Sequence, residues 1–141
     1  MTLRSLLDKG AGSAIALSAP ARQPLTYVQL RRHVDTIGRQ LAGQGLHASD
    51  RVSIVLPNGP EMASSFLAVA SYMSAAPLNP SYKRNEYEFY LSDLKPALVI
   101  VEQDSDNPVR EVAAALNIPV AEARVSSDMA AGDFLLFDEE A

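Results

Sequence analysis

Hydrophobic and polar positions along this chain alternate in blocks that fit helices and strands in turn. Thr26 and Gln29 match a capping box, in which two side chains satisfy backbone N–H groups of a helix's first turn. Val52–Leu56 is a run of aliphatic residues typical of a strand covered on both faces. The helix that begins at Thr26 places four apolar residues on one face: Leu30, Val34, Ile37 and Leu41.

The same periodicities predict the later elements. Residues 61–74 should form a central, buried helix with its large apolar side chains on one face. Asn85 and Glu88 suit the start of the next helix, and Pro108 the start of a weaker one. The further predicted strands are Ala75–Leu78, Ala97–Val101, Ile118–Ala121 and Phe134–Phe137. Strands and helices that alternate with short connections imply an α/β fold, with a mainly parallel sheet flanked by helices on both faces.

Composition divides the chain into three parts. Residues 1–25 contain a short amphipathic helix and a candidate hairpin, and residues 26–121 carry the alternating α/β pattern. Residues 122–141 are acidic and partly irregular. The net charge is −5, and this last part holds six acids against one arginine, so residues 1–121 are neutral overall. A neutral body with an acidic end argues against nucleic-acid or anionic-membrane partners.

The same composition bears on compartment. Cysteine is absent, which excludes disulfides and thiolate metal sites. The N-terminal apolar run is too short for a signal peptide, and no stretch reaches the roughly 20 apolar residues that span a bilayer. We therefore predict a cytoplasmic protein.

Candidate chemistry lies in the loops after the strands, because ligands of parallel α/β sheets bind beyond the carboxyl ends of strands. Lys83 and Arg84 form an adjacent basic pair that could contact a phosphate-rich ligand, or could simply be solvated charges at a helix start. This pair lies in the second of three candidate loops, Asn79–Asn85. The first loop, Pro57–Pro60, fits an anion site or a plain turn. The third loop, Glu102–Asn107, fits a divalent-cation site or a solvated acidic loop.

No pattern specifies a catalytic group. Neither histidine lies in a nucleophile context, and His33 is predicted to be a solvated residue near the polar face of its helix. No P-loop, dinucleotide fingerprint or metal-ligand spacing is present. We predict no catalytic and no metal-binding residue in this chain.

An ordered series of segments resembles the N-terminal part of AMP-forming acyl-CoA synthetases, of the adenylate-forming superfamily. The segments are LTYVQL, LAGQGL, SDRVSIVLPNGPE, FLAVASYMSAAPLNPSY and NEYEFYLSDLKPALVIVE, over roughly residues 24–102. EYEFYLSD is similar in particular to the oxalyl-CoA synthetase-like branch. The resemblance implies that this chain folds as the N-terminal subdomain of the adenylate-forming fold.

The resemblance also implies an activity for the parent protein. Such enzymes use ATP, Mg²⁺ and coenzyme A to convert a carboxylic acid to an acyl-adenylate and then to an acyl-CoA. Their phosphate loop, ribose-binding aspartate and catalytic lysine lie beyond the residues present here. This chain is therefore expected to be an N-terminal fragment, truncated before the phosphate loop and inactive alone. The remainder of the ligase, or a partner chain, should cover an exposed apolar face.

A possible coenzyme A contact follows from the same resemblance. In some relatives a basic residue just after Asn-Pro holds the nucleotide end of coenzyme A, and the corresponding residue here is Ser81. Lys83 and Arg84 are neighbours that could substitute for it. Two other readings stay open: a stand-alone truncated binding or regulatory module, and an unrelated flavodoxin-like nucleotide-binding domain.

Overall fold

The computed structural model describes residues 3–9 and 11–137. Within them it contains five α-helices and six strands. The helices are α1 (Leu3–Leu7), α2 (Tyr27–Gly43), α3 (Pro60–Tyr72), α4 (Arg84–Leu94) and α5 (Val109–Ala115). The strands are β1 (Ile15–Leu17), β2 (Leu25–Thr26), β3 (Arg51–Val55), β4 (Ser74–Pro77), β5 (Leu98–Glu102) and β6 (Val120–Ala123).

The central feature is a parallel four-stranded sheet in the order β4-β3-β5-β6. Val52 of β3 lies opposite Ala75 on one side and Leu98 on the other. Strands β1 and β2 pair antiparallel as a separate hairpin, as the turn pattern before Thr26 predicted. The predicted α/β class with a mainly parallel sheet is confirmed.

Side chains of the sheet alternate between two cores. Val52 and Ile54 of β3 join the core under α2 and α3, whereas Val55 joins the second core under α4 and α5. Leu98 and Ile100 of β5 face the first core in the same way. Because both faces of the sheet are covered by helices, its central strands are mostly apolar, with Ser53 as a buried polar exception.

Helix α2 forms as its sequence pattern predicts. The Gln29 N–H donates to Thr26 Oγ1 at 3.3 Å, and the Thr26 N–H donates to Gln29 Oε1 at 2.9 Å, so the capping box is present. All four predicted face residues of this helix are at most 2% exposed.

Helix α3 is only partly buried, whereas the sequence predicts a buried helix. Phe66, one of its large apolar residues, is 41% exposed. The buried residues are Ser64, Ser65, Ala68 and Val69, so the helix is covered on its small-residue side. The reason is that α3 packs against α2 as well as above the sheet, and small side chains let two helices approach closely.

The predicted last strand, Phe134–Phe137, does not form among the described residues. Leu135 makes one isolated antiparallel bridge with Arg124, through backbone hydrogen bonds of 2.8 and 2.9 Å. The residues just before the predicted strand form hydrogen bonds with the hairpin and with α3, so they do not pair with a strand. The acidic residues Asp138–Glu140 lie outside the described part of the chain.

Candidate functional site

The loops after β3 and β4 border a cleft of about 470 Å³ at the carboxyl edge of the sheet. They come together because β3 and β4 are neighbouring parallel strands. The cleft therefore joins two of the three loops singled out from the sequence. Its lining includes Leu56, Asn58, Met62, Leu78, Asn79 and Ser81.

The loop that carries Lys83 is fixed by buried neighbours. Asn79 Oδ1 accepts a hydrogen bond from the Ser81 N–H at 2.8 Å. The hydroxyl of Tyr87, which is fully buried, donates to the Asn79 carbonyl at 2.8 Å. Asn107 Nδ2 donates to the Pro80 carbonyl, also at 2.8 Å. The third candidate loop thus supports the second through Asn107.

Burial raises the pKa of Tyr87 above its ordinary value of 10.0. The neutral phenol is the form that can donate to the Asn79 carbonyl. The raised pKa and the hydrogen bond therefore both indicate a tyrosine that stays protonated while it holds the loop.

Lys83 and Arg84 occupy different electrostatic surroundings. Arg84 Nε lies 3.2 Å from Glu88 Oε1, and its Nη1 lies 2.9 Å from Glu111 Oε2. The N-cap of helix α4 is Lys83 rather than Asn85, since the Glu86 carboxylate accepts the Lys83 backbone N–H at 3.0 Å. In the described part of the chain, the exposed Lys83 ammonium forms no ion pair. The charge of Arg84 is offset by two carboxylates, and that of Lys83 is available to a ligand.

Aromatic rings lie beside this loop. The rings of Tyr82 and Tyr90 stack at 5.1 Å with an interplanar angle of 10°, and Tyr87 meets Tyr82 edge-on. The hydrogen bond with Tyr90 raises the pKa of Tyr82. Phe89 is 68% exposed next to them. Sequence reasoning missed this group because Tyr82 lies before the helix and carries no helical periodicity.

The acidic third loop shows no metal centre. The Asp104 N–H donates to the Glu122 carboxylate at 3.1 Å, and Glu122 also accepts from Arg110 at 2.6 Å. Arg110 is the main cause of the lowered pKa of Glu122. Across residues 3–9 and 11–137, no group of three or more His, Asp or Glu side chains could hold a metal ion. Carboxylates in this region bind arginine and backbone N–H groups.

His33 lies away from this edge, and the prediction that it is solvated is wrong. It is 6% exposed, with Nδ1 3.3 Å from Asp133 Oδ1 and its ring edge-on to Phe134 at 4.5 Å. The hydrogen bond from His33 lowers the pKa of Asp133. Residues 130–135 pass over α2 here and form one wall of a cleft of about 280 Å³. No local sequence signal marks this packing, because the two partners are about 100 residues apart in the chain.

The parallel sheet, with two candidate ligand loops at its carboxyl edge, defines a protein of the α/β class. The family described as AMP-binding enzyme matches residues 8–140, and the chain belongs to that family. A probable CoA ligase of Humulus lupulus is 34% identical over 96% of this chain and 26% of its own length. An oxalate–CoA ligase of Arabidopsis thaliana is 34% identical over 73% of this chain and 20% of its own length.

The fold is shared with solved structures. Apo MatB from Rhodopseudomonas palustris superimposes with a TM-score of 0.76 at 21% identity, over 100% of this chain and 31% of that protein. This chain spans about a quarter of the length of the two CoA ligases described above. The predicted relationship to adenylate-forming CoA ligases is confirmed, and the reading as an unrelated flavodoxin-like domain is wrong. No described helix is long and apolar enough to cross a bilayer.

Proposed function

We propose that the protein to which this chain contributes is an ATP-dependent carboxylate–CoA ligase. The observation that carries the proposal is the family match over residues 8–140, together with curated relatives described as CoA ligases. A carboxylate oxygen of a small acid attacks the α-phosphorus of ATP and pyrophosphate leaves. The thiolate of coenzyme A then attacks the acyl carbon of the adenylate, and AMP leaves.

In this proposal the present chain supplies scaffold rather than chemistry. Its described residues contain no group of side chains suited to Mg²⁺, so we assign the metal to later parts of the protein. The phosphate loop and the catalytic lysine are likewise assigned to those parts. We further propose a cytoplasmic location for the whole ligase.

Within the chain, we place a coenzyme A phosphate contact at Lys83. Support comes from its exposed ammonium, which forms no ion pair within the described residues, and from the loop that Tyr87 and Asn107 hold in place. Arg84 is the weaker candidate, since a phosphate must compete with Glu88 and Glu111 for its guanidinium. A fixed loop with one free cation suits a phosphate. When the phosphate binds, the lysine side chain is the main group that loses conformational freedom.

The remainder of the ligase is proposed to cover exposed apolar side chains. The remainder of the ligase would not contact a bare face of the sheet, because helices cover both faces. The apolar surface that is available lies instead on the outer sides of helices and on the segment after β6. It includes Phe66, Phe89 and Leu135, each at least 41% exposed.

The first test is activity. The full ligase should catalyse exchange of radiolabelled pyrophosphate into ATP with at least one small carboxylic acid, and should form its CoA thioester. The isolated 141-residue chain should show neither reaction. Exchange by the isolated chain would contradict the assignment of this chain as scaffold, and no thioester from the full protein with any acid of a broad panel would contradict the ligase proposal.

The second test addresses Lys83. Lys83→Ala in the full ligase should raise KM for coenzyme A about three- to tenfold, the range expected for one partly solvated charge-assisted contact. The rate of ATP–pyrophosphate exchange, which needs no coenzyme A, should not change. The matched control is Lys95→Ala at the other end of α4, also exposed. An equal effect of both variants would argue against a specific contact at Lys83.

A further inference from the structure

The five residues 130–134, called the strap here, are held by polar bonds to elements far away in the chain and by the burial of Ala131 and Phe134. Arg22 Nη2 donates to the Ala130 carbonyl at 2.9 Å, and the Ala131 N–H donates to the Gln23 carbonyl at 2.8 Å. The strap therefore lies against the turn between β1 and β2. Leu135, the residue that follows the strap, makes the isolated bridge to the chain after β6.

Glu61 and Ser64, in the first turns of α3, hold the middle of the strap. Glu61 Oε2 accepts from Arg22 Nη1 at 2.7 Å and from the Gly132 N–H at 2.8 Å. Ser64 Oγ donates to the Gly132 carbonyl at 2.6 Å. Both backbone groups of Gly132 are thus bound by side chains of one helix, and these two residues form a latch.

The strap covers apolar surface of the first core. Phe134 packs edge-on against His33, and the strap and α2 enclose the cleft above Leu25. Leu25 is 2% exposed with the strap in place. Release of the strap would expose Leu25 and His33 to water while the four strands keep their backbone ladder.

We propose that the strap is a conformational device: a lid over Leu25 and His33 that opens as a unit of its own, released at the Glu61–Ser64 latch. The physical reason is the kind of bond on each side. Opening breaks a few hydrogen bonds to side chains, one backbone bond to Gln23 and the packing of Phe134 in one core, whereas the sheet opens only when backbone ladders buried in two cores are broken. Units bound by few contacts open at lower free energy than core strands.

Native-state hydrogen exchange of the 141-residue chain tests the proposal. The Ala131 and Gly132 amides should exchange faster than those of β5, and their rates should depend little on added urea, since local opening exposes little surface. Ser64→Ala should speed exchange of the Gly132 amide about tenfold, the loss expected for one hydrogen bond. Ser65→Ala is the matched control, because Ser65 is equally buried but has no hydrogen-bond partner in the described region.

A sheet variant separates local from global opening. Ile100→Val in β5 should speed exchange of the β5 amides about three- to tenfold by destabilising the core. It should leave the Gly132 amide unchanged, since Ile100 stays packed when only the strap opens. The proposal is overturned if the strap and β5 amides share one rate and one urea dependence, or if Ile100→Val accelerates both equally. The wild-type urea dependence alone decides the matter should either variant fail to fold.

Discussion

Removal of one hydroxyl group tests how the loop that carries Lys83 is held. Tyr87→Phe keeps the ring that fills the second core but deletes the hydrogen bond to the Asn79 carbonyl. Nothing else about the packing needs to change, because the ring is fully buried and the two residues have nearly the same shape. The change therefore removes the hydroxyl's contacts with the surrounding loops and keeps the packing of the ring.

The expected loss follows from the surroundings of the two partners. A neutral hydrogen bond contributes about 1 kcal/mol net, whereas a carbonyl left buried without any partner costs up to about 3 kcal/mol. Asn79 is exposed, so water can reach its carbonyl once the hydroxyl is gone. We expect a loss of about 1 kcal/mol in the free energy of unfolding, equivalent to roughly 3–5 °C in Tm for a chain of this size.

Urea denaturation followed by circular dichroism measures the loss directly. Tyr27→Phe is the control: this half-buried residue lies in α2, and its hydroxyl has no hydrogen-bond partner among the described residues, so we expect less than about 0.5 kcal/mol. Exchange of the Ser81 amide should become faster in Tyr87→Phe and stay unchanged in the control. A loss near 3 kcal/mol would refute the reasoning that water replaces the hydroxyl, and no loss would show that the loop does not depend on Tyr87.

Two further changes probe contacts between parts of the chain that are distant in sequence. The hydrogen bonds from Arg4 lower the pKa of Asp35 below 3.8, so this pair stabilises the fold above that pH and its contribution is lost as the pH falls through the lower, folded-state value. Asp35→Asn should flatten the acid limb of a urea-midpoint profile below about pH 4, and an unaltered limb would contradict that. Gly132→Ala should destabilise the chain by about 1–3 kcal/mol, because its φ is +93° and a Cβ would lie 2.7 Å from Leu17 Cδ1. Thermal unfolding measures this, and a stable Gly132→Ala variant would show that the strap can shift at no cost.

Much of the fold could be read from local pattern. The capping box at Thr26 and the aliphatic runs of β3 and β5 each specify an element within a few residues, because hydrogen bonding and side-chain periodicity act locally. The start of α4 was misplaced by two residues, since either Glu86 or Glu88 could have supplied the capping carboxylate. That choice depends on geometry that periodicity does not contain.

The candidate site was predicted in part. Its two loops were named from the rule that ligands bind at the carboxyl ends of parallel strands, and the strand order then brought them to one cleft. The anchors of the basic loop were not predicted. Nothing in the sequence neighbourhood of Tyr87 indicates that its hydroxyl reaches Asn79. The proposed role of Lys83 came from resemblance, and its free ammonium from the structure.

What the sequence alone determined is the succession of helices and strands, the parallel sheet and the family. These depend on short-range patterns and on an ordered series of segments. The tertiary structure alone decided which face of α3 is buried, that Arg84 is paired while Lys83 is free, and that His33 lies under the strap. Each of these depends on residues distant in the chain, such as Asp133 beside His33, whose contacts exist only after the chain has closed long loops around the core.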